Sequence, residues 1–254
     1  MILYFTGTGN SKYVADFLGD KIQDEVVSLN DIMKNKLPLT VESEKPFVWV
    51  APIYAWQFPL AVDELFRKMD FQGNSTVYFV ATMGGDSGNC YKTCQKHAKA
   101  KGLLYGGFAE VKMPDNYFEA FNIKNPQKMV DMVKGTHPLL EKIAETVKNG
   151  HTLDIRKKDP TAFLKSSVVN YGFNKYFIPN TKFSVNDSCS GCGKCAKICP
   201  VNNIKITDGR PVFDSRCMSC YGCINKCPEK AINLGKKTEG KTRYVCIEYK
   251  KESL

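Results

Sequence analysis

The sequence predicts two unlike domains in series: an α/β domain built on a parallel sheet, then a small α+β domain wrapped around cysteines. Three observations lead there. Met1-Ile2-Leu3-Tyr4-Phe5 is a short apolar run followed at once by Thr6-Gly7-Thr8-Gly9-Asn10-Ser11, the succession of a buried parallel strand, a glycine turn and a helix start. The pattern C-x2-C-x2-C-x3-C-P occurs twice, as Cys189, Cys192, Cys195 and Cys199-Pro200 and again as Cys217, Cys220, Cys223 and Cys227-Pro228. With 254 residues, the chain is also far longer than the cysteine repeat needs, so a second core is expected.

The turn at 6–11 is suited to an anion. Its glycines let the backbone curl, Thr6, Thr8 and Ser11 offer hydroxyls, and the free N–H groups of a helix starting near Asn10 face inward. A capped helix start without a ligand would read the same way. Residues 25–29 suit a second strand and Phe47-Val48-Trp49-Val50-Ala51 a buried third, ending at Pro52. Val62, Leu65, Phe66 and Met69 then recur at helical spacing. A fourth strand over 76–82 runs into Met83-Gly84-Gly85, a helix follows to about Lys101, and 103–111 is a fifth strand with a bulge signal at Gly106-Gly107. Cys90 and Cys94 share a helical face and read as core. Apolar positions from Met129 to Val147 give a closing helix interrupted at 135–138.

This order resembles the flavodoxin family, whose phosphate loop T-x-T-G-N-[ST] is matched by Thr6, Thr8, Gly9, Asn10 and Ser11. The resemblance implies a doubly wound, five-stranded parallel sheet of order 2-1-3-4-5, with the phosphate of FMN at Thr6, Gly7, Thr8, Gly9, Asn10 and Ser11. It also directs attention to the later loops on the same sheet end. Pro52, Ile53, Tyr54, Ala55 and Trp56 would lie beside the flavin ring, with Tyr54 or Trp56 stacked on it or, alternatively, packed between domains. Met83, Gly84 and Gly85 would approach its polar edge, and Asn116 and Tyr117 could reach it from a further loop. Asn10, Gly84 and Trp56 would tune it.

The cysteine pattern is that of two-cluster [4Fe-4S] sites, in which the fourth cysteine of each run ligates the other cluster. One cluster would then take Cys189, Cys192, Cys195 and Cys227, the other Cys217, Cys220, Cys223 and Cys199. A zinc site would leave the third and fourth cysteines of each run without use. Gly193 with Tyr221, and Ile204 with Ile232, extend the repeat, and residues 183–235 resemble bacterial two-cluster ferredoxins. The whole order resembles flavodoxin–ferredoxin fusion proteins, with a flavin domain over 1–155, a linking helix over 156–180, the ferredoxin domain over 181–235 and a basic tail over 236–254. The linking helix is expected to start at Asp159-Pro160. Its aromatics suggest packing between the domains or, alternatively, on a membrane surface. Tyr244 to Tyr249 alternate as an edge strand would, and Cys246 reads as structural.

The formal net charge of +10 falls to about +4 once two clusters and one flavin phosphate, at about −2 each, are counted. The remainder favours an acidic redox partner, ferredoxin or a ferredoxin-dependent enzyme, over nucleic acid, for which no recognition module is present. Eleven cysteines point to a reducing, cytoplasmic setting, and no run is long and apolar enough for a membrane span. Three functions stay open: an electron relay between clusters and FMN, an FMN-dependent reductase of a quinone or nitro compound, and a redox sensor.

Overall fold

The computed structural model describes residues 1–117, 125–157, 159–178 and 182–250. Its first half is a parallel sheet covered on both faces. The chain runs through β1 (Ile2–Tyr4), α1 (Asn10–Ile22), β2 (Val26–Ser28), α2 (Leu29–Asn35), β3 (Thr40–Ser43), β4 (Phe47–Pro52), α3 (Leu60–Lys68), β5 (Asp70–Gly73) and β6 (Thr76–Met83). It continues through α4 (Cys90–Ala100), β7 (Leu104–Lys112), α5 (Pro126–Lys134), α6 (His137–Lys148) and β8 (Leu153–Ile155). Strand order in the main sheet is β2-β1-β4-β6-β7-β8, every pair parallel.

The alternation of side chains across the pleat divides the apolar residues between two cores. Leu3, Phe47, Trp49, Phe79 and Phe108 pack with Val62 and Phe66 of α3 and Cys90 and Cys94 of α4. Ile2, Val48, Val50, Val80 and Val111 pack with Val14 and Leu18 of α1 and Leu140 and Ile143 of α6. Cys90 and Cys94, with sulfurs 4.0 Å apart, are wholly part of the first core.

The sheet has six strands, not five. Leu153–Ile155 adds to the outer edge of β7, with Leu153 buried and Gly107 against it. A Cβ on Gly107 would stand 2.0 Å from the Leu153 carbonyl oxygen, and its φ of 134° is one that side chains avoid. The bulge expected at the glycine pair is present: Val77 pairs with Tyr105 and Tyr78 with Gly107, leaving Gly106 over. β3 and β5 form a separate two-stranded parallel sheet.

The linking helix, α7, runs over 162–177, later than Asp159-Pro160. The Asp159 carboxylate accepts from the Thr161 N–H and hydroxyl, forming a turn before the helix. Wide i→i+5 turns occupy Lys165–Val169 and Phe173–Phe177. Its aromatic surface is only partly enclosed. Phe163, Leu164, Val168, Tyr171 and Tyr176 are exposed, because the face turned to the first domain carries Ser166 and Asn170, which hydrogen-bond to backbone there.

The second domain holds β9 (Ser184–Val185), α8 (Lys194–Ile198), β10 (Ile204–Thr207), β11 (Arg210–Phe213), α9 (Gly222–Asn225) and β12 (Ile232–Asn233). β10 pairs with β11 and β12 with β9, both antiparallel. The sequence repeat is also a structural one: Gly193 (φ 71°) and Tyr221 (φ 56°) are the left-handed residues that start α8 and α9. The tail is not an edge strand. It crosses behind the 6–11 turn: the Cys246 N–H donates to the Thr8 carbonyl (2.8 Å), Tyr244 to Asn10 Oδ1 (2.6 Å) and Tyr249 to Asp20 (2.9 Å). Its alternation is used by packing, with Tyr244 and Cys246 buried and Val245 exposed.

The domains are closely fitted. Met218 is buried in the first domain's core, with Val201 and Cys220 packed against it. The Lys34 ammonium donates to the carbonyls of Ala196 (3.0 Å) and Cys199 (3.4 Å) and to Asn202 Oδ1 (3.0 Å).

Candidate cofactor cavity and cluster sites

A cavity of about 420 Å³ lies beyond the carboxyl ends of β1, β4, β6 and β7, within the range of small-cofactor pockets. Thr6, Gly7, Thr8, Asn10 and Ser11 form one wall; Gly9, with φ 109°, turns the chain into α1 behind them. The first-turn N–H groups of a helix have no partners within it. The hydroxyls of the turn are oriented by the protein while keeping a proton to give. Thr6 Oγ1 accepts from the Gly9 N–H (3.0 Å) and Thr8 Oγ1 from the Asn116 amide (3.1 Å), so each O–H remains available. Ser11 instead shares its hydrogen bond with Thr82 (2.8 Å). Asn10, expected to face the ligand, lines the cavity with its amide already committed: it donates to the Pro114 carbonyl (2.8 Å) and accepts from Tyr244.

The 52–56 loop forms a second wall. Tyr54 and Gln57 exchange backbone hydrogen bonds (2.8 and 3.3 Å) around Ala55 (φ 46°) and Trp56 (φ 64°), a tight turn with two left-handed residues that are not glycine. α7 holds this strained turn: Asn170 donates to the Ala55 carbonyl (2.8 Å) and Ser166 to that of Trp56 (3.2 Å). Lys165 lies over the Trp56 ring at 5.6 Å. The Tyr54 hydroxyl is fully buried and meets no hydrogen-bond partner. Burial, then the sulfurs of Cys220 and Cys217, push its pKa well above that of a free phenol, so it stays a neutral donor.

Met83, Gly84 and Gly85 line the third side. A Cβ at Gly85 would meet nothing within 4 Å, whereas one at Gly84 would reach Asp115 at 2.7 Å. The loop is held by buried Glu110, whose carboxylate accepts from the Ser87 N–H (3.1 Å), the Ser87 hydroxyl (2.6 Å) and the Lys157 N–H (3.0 Å). Asn116 and Tyr117 close the cavity. Tyr117 packs edge-on to Phe177 and beside Tyr221, with centroids 6.2 and 6.0 Å away. The sequence reading missed Phe173 of α7 and Ser219 and Tyr221 of the cysteine domain, all of which line the cavity. The arrangement suits a ligand with a phosphate at one end and a flat aromatic body at the other.

Two smaller cavities lie within the cysteine domain. One is lined by Cys189, Cys192, Cys195 and Cys227, the other by Cys199, Cys217, Cys220 and Cys223. The sulfurs ring these spaces instead of converging on one point: among the described residues, no three His, Cys, Asp or Glu side chains gather closely enough for a single ion. The fourth cysteines have matching surroundings, with the Asn203 N–H 3.2 Å from Cys199 Sγ and the Ala231 N–H 3.4 Å from Cys227 Sγ. Burial pushes the Cys220 thiol up to about 12 and also raises Cys217, Cys223 and Cys195. Such thiols ionise when a metal compensates their charge, so loading the site releases protons.

A family model described as a flavodoxin domain matches residues 1–130. The chain belongs to the flavodoxin family. A second model, a 4Fe-4S dicluster domain, matches residues 188–232, so the chain joins a flavodoxin domain to an iron–sulfur domain of ferredoxin type. Within the latter the chain is 43% identical over 47 residues to one component of an ion-translocating oxidoreductase complex from Methanosarcina acetivorans. That match covers 18% of this chain and 18% of that component. Among solved structures, the Trp repressor binding protein from Bacillus subtilis is 12% identical, with a TM-score of 0.36 over 58% of this chain and 97% of that one. Two-electron reduced Megasphaera elsdenii flavodoxin is 17% identical, with a TM-score of 0.33 over 57% and 99%. Rubredoxin oxygen:oxidoreductase from Desulfovibrio gigas is 11% identical, with a TM-score of 0.35 over 59% and 36%. The cavity described above thus belongs to the flavodoxin domain except where α7 and the 219–221 loop complete it. No described helix is long and apolar enough to cross a membrane.

Proposed function

We propose that this protein relays electrons between two [4Fe-4S] clusters and FMN held in the same chain, exchanging them with a separate redox protein. The observation that carries this reading is the contact between the two sites. Gly7 of the phosphate loop lies so close to the Cys220 carbonyl that a Cβ there would stand 2.2 Å from its oxygen, and Ser219 and Tyr221 line the flavin cavity. Iron–sulfur clusters exchange single electrons, and a flavin accepts one or two.

In this reading Thr6, Thr8 and the α1 N-terminus bind the phosphate and Tyr54 donates to the bound flavin beside that turn. Trp56 and Phe173 shield the ring from water. Cys189, Cys192, Cys195 and Cys227 ligate one cluster and Cys217, Cys220, Cys223 and Cys199 the other. All eight must stay reduced until metal is loaded, which suits the cytoplasm. The test is rapid mixing of anaerobically loaded protein with a reductant that reduces the clusters first. Flavin reduction should track cluster oxidation at a rate independent of protein concentration. A requirement for an added carrier, with all cluster ligands intact, would refute the relay.

The phosphate end can be tested alone. Thr8 is 1% exposed, so Thr8→Glu places a carboxylate against the phosphate. Like charges about 4 Å apart near a protein surface repel by about 4 kcal/mol, so FMN affinity should fall about a thousandfold, measured by flavin fluorescence titration. Thr8→Gln, the neutral control of similar size, should retain most of it. Equal losses in both variants would mean that steric displacement, not charge, governs the site.

A further inference from the structure

We infer that the cluster site of Cys189, Cys192, Cys195 and Cys227 is the port at which an acidic one-electron carrier protein exchanges electrons with this chain. The site of Cys199, Cys217, Cys220 and Cys223 then faces the flavin and is closed to partners. The inference deepens the relay reading and rests on it.

The two sites differ in what covers them. Around the inner one, the Cys220 carbonyl abuts Gly7, Met218 is buried in the flavodoxin core, and Lys34 donates to the Cys199 carbonyl. Ser219 and Tyr221, between its ligands, form part of the flavin cavity. A protein partner has no approach to it except through the flavodoxin domain. Every residue lining the outer cavity comes from the iron–sulfur domain, and Cys192 is exposed at the surface. The two sites adjoin through a shared apolar cluster, since Cys195, Cys223 and Cys227 all pack on Tyr221, Ile224, Ile232 and Leu234. Electrons passing between solvent-side partner and flavin therefore have an outer and an inner stop.

Charge identifies the partner. The turn of the β10–β11 hairpin lies on the Cys189–Cys192 loop, with the Gly209 carbonyl 2.7 Å from where a Gly191 Cβ would be. This brings exposed Lys205 and Arg210 to the same end of the domain as exposed Lys194, Lys197 and Lys230. Against these five cations stand Asp187, Asp208 and Glu229, and Asp187 is paired with Arg210 at 3.2 Å. The excess of positive charge beside an accessible cluster complements an acidic surface and raises the encounter rate with it. In each encounter the carrier loses one electron and the outer cluster gains one. Two encounters deliver the two electrons that fully reduce the flavin, whose protons come from solvent.

The experiment compares Lys197→Glu/Lys205→Glu/Lys230→Glu with Lys96→Glu/Lys99→Glu, two exposed positions on α4 of the flavodoxin domain. The probe is a reduced acidic two-cluster ferredoxin mixed with oxidised, fully loaded protein. At low salt the first variant should show a second-order rate at least tenfold lower and a weaker Kd for the oxidised ferredoxin. The difference should shrink as salt screens it. The second variant should behave as wild type. The concentration-independent step between clusters and flavin should be unchanged in both, so a defect confined to the encounter separates the port from the relay itself. Equal slowing by both variants, or none by the first, overturns the port. Loss of the internal step in wild type would refute the relay while leaving the binding comparison readable.

Discussion

Cys199→Ser should remove the inner cluster and spare the outer one. Cys199 belongs by sequence to the run of Cys189, Cys192 and Cys195, yet its side chain lines the cavity of Cys217, Cys220 and Cys223. The Cys-Pro sequence carries the chain away at that point, and Pro200 is buried against the same cavity. Iron content should fall by about half, because each cluster depends on four thiolates. Double variants settle the pairing by additivity. Cys199→Ser with Cys220→Ser should still lose only one cluster, whereas Cys199→Ser with Cys192→Ser should lose both, read by iron counts and electron paramagnetic resonance. The opposite outcome would assign Cys199 to its own run.

Gly7→Ala should destabilise the protein by about 3 kcal/mol, at the upper end for overpacking a close contact. For a chain of this size that corresponds to a drop in Tm of about 6–12 °C. The added methyl meets the Cys220 carbonyl oxygen at 2.2 Å and its carbon at 3.2 Å, and the Tyr54 hydroxyl at 3.2 Å. The first two are backbone, and the reciprocal contact of Gly222 with the Gly7 carbonyl, at 3.1 Å, prevents a simple shift. The domains must therefore separate, and electron transfer between cluster and flavin should slow along with the loss of stability. Gly85→Ala is the comparison: it adds a methyl to open space and should change stability by less than about 0.5 kcal/mol. Equal melting temperatures for Gly7→Ala and wild type would mean that the two loops do not touch.

Gly7 also shows where the sequence was legible and where it was not. The hydroxyls, Gly9 and the helix start around it are read from local backbone chemistry, and so are the cysteine spacings. In the loop pattern T-x-T-G-N-[ST], however, Gly7 occupies the unspecified position, and its identity is fixed by a residue more than two hundred positions away. The same holds for Ser219, Tyr221 and Phe173. Each is unremarkable in its own segment and enters the cavity because of how the second domain and α7 dock. β8 was missed because three residues with one buried leucine carry too little periodicity, and only the unpaired edge of β7 and the glycine at 107 make room for them. The tail was misread because alternation of apolar residues records burial on one side, which a segment lying over a helix end satisfies as well as a strand does. Asn10 was placed correctly, but its amide serves Pro114 and Tyr244, which sequence spacing could not reveal.

The route of that tail changes what counts as a separable unit. The chain leaves the flavodoxin domain along α7, passes through all eight cysteines and returns to place Cys246 against the Thr8 carbonyl and Tyr244 against Asn10. In Gly9, a Cβ would stand 2.9 Å from that of Cys246. The iron–sulfur domain is thus spliced into the flavodoxin domain in space, although it follows it in sequence. A truncation after Cys227 would preserve every thiolate and the whole parallel sheet, yet it would remove the backing of the phosphate loop. An isolated flavodoxin half cut before α7 would likewise lack Ser166 and Asn170, the side chains that hold the Ala55–Trp56 turn. Neither half carries a complete flavin site, so cutting the gene at its apparent domain boundary yields two incomplete proteins.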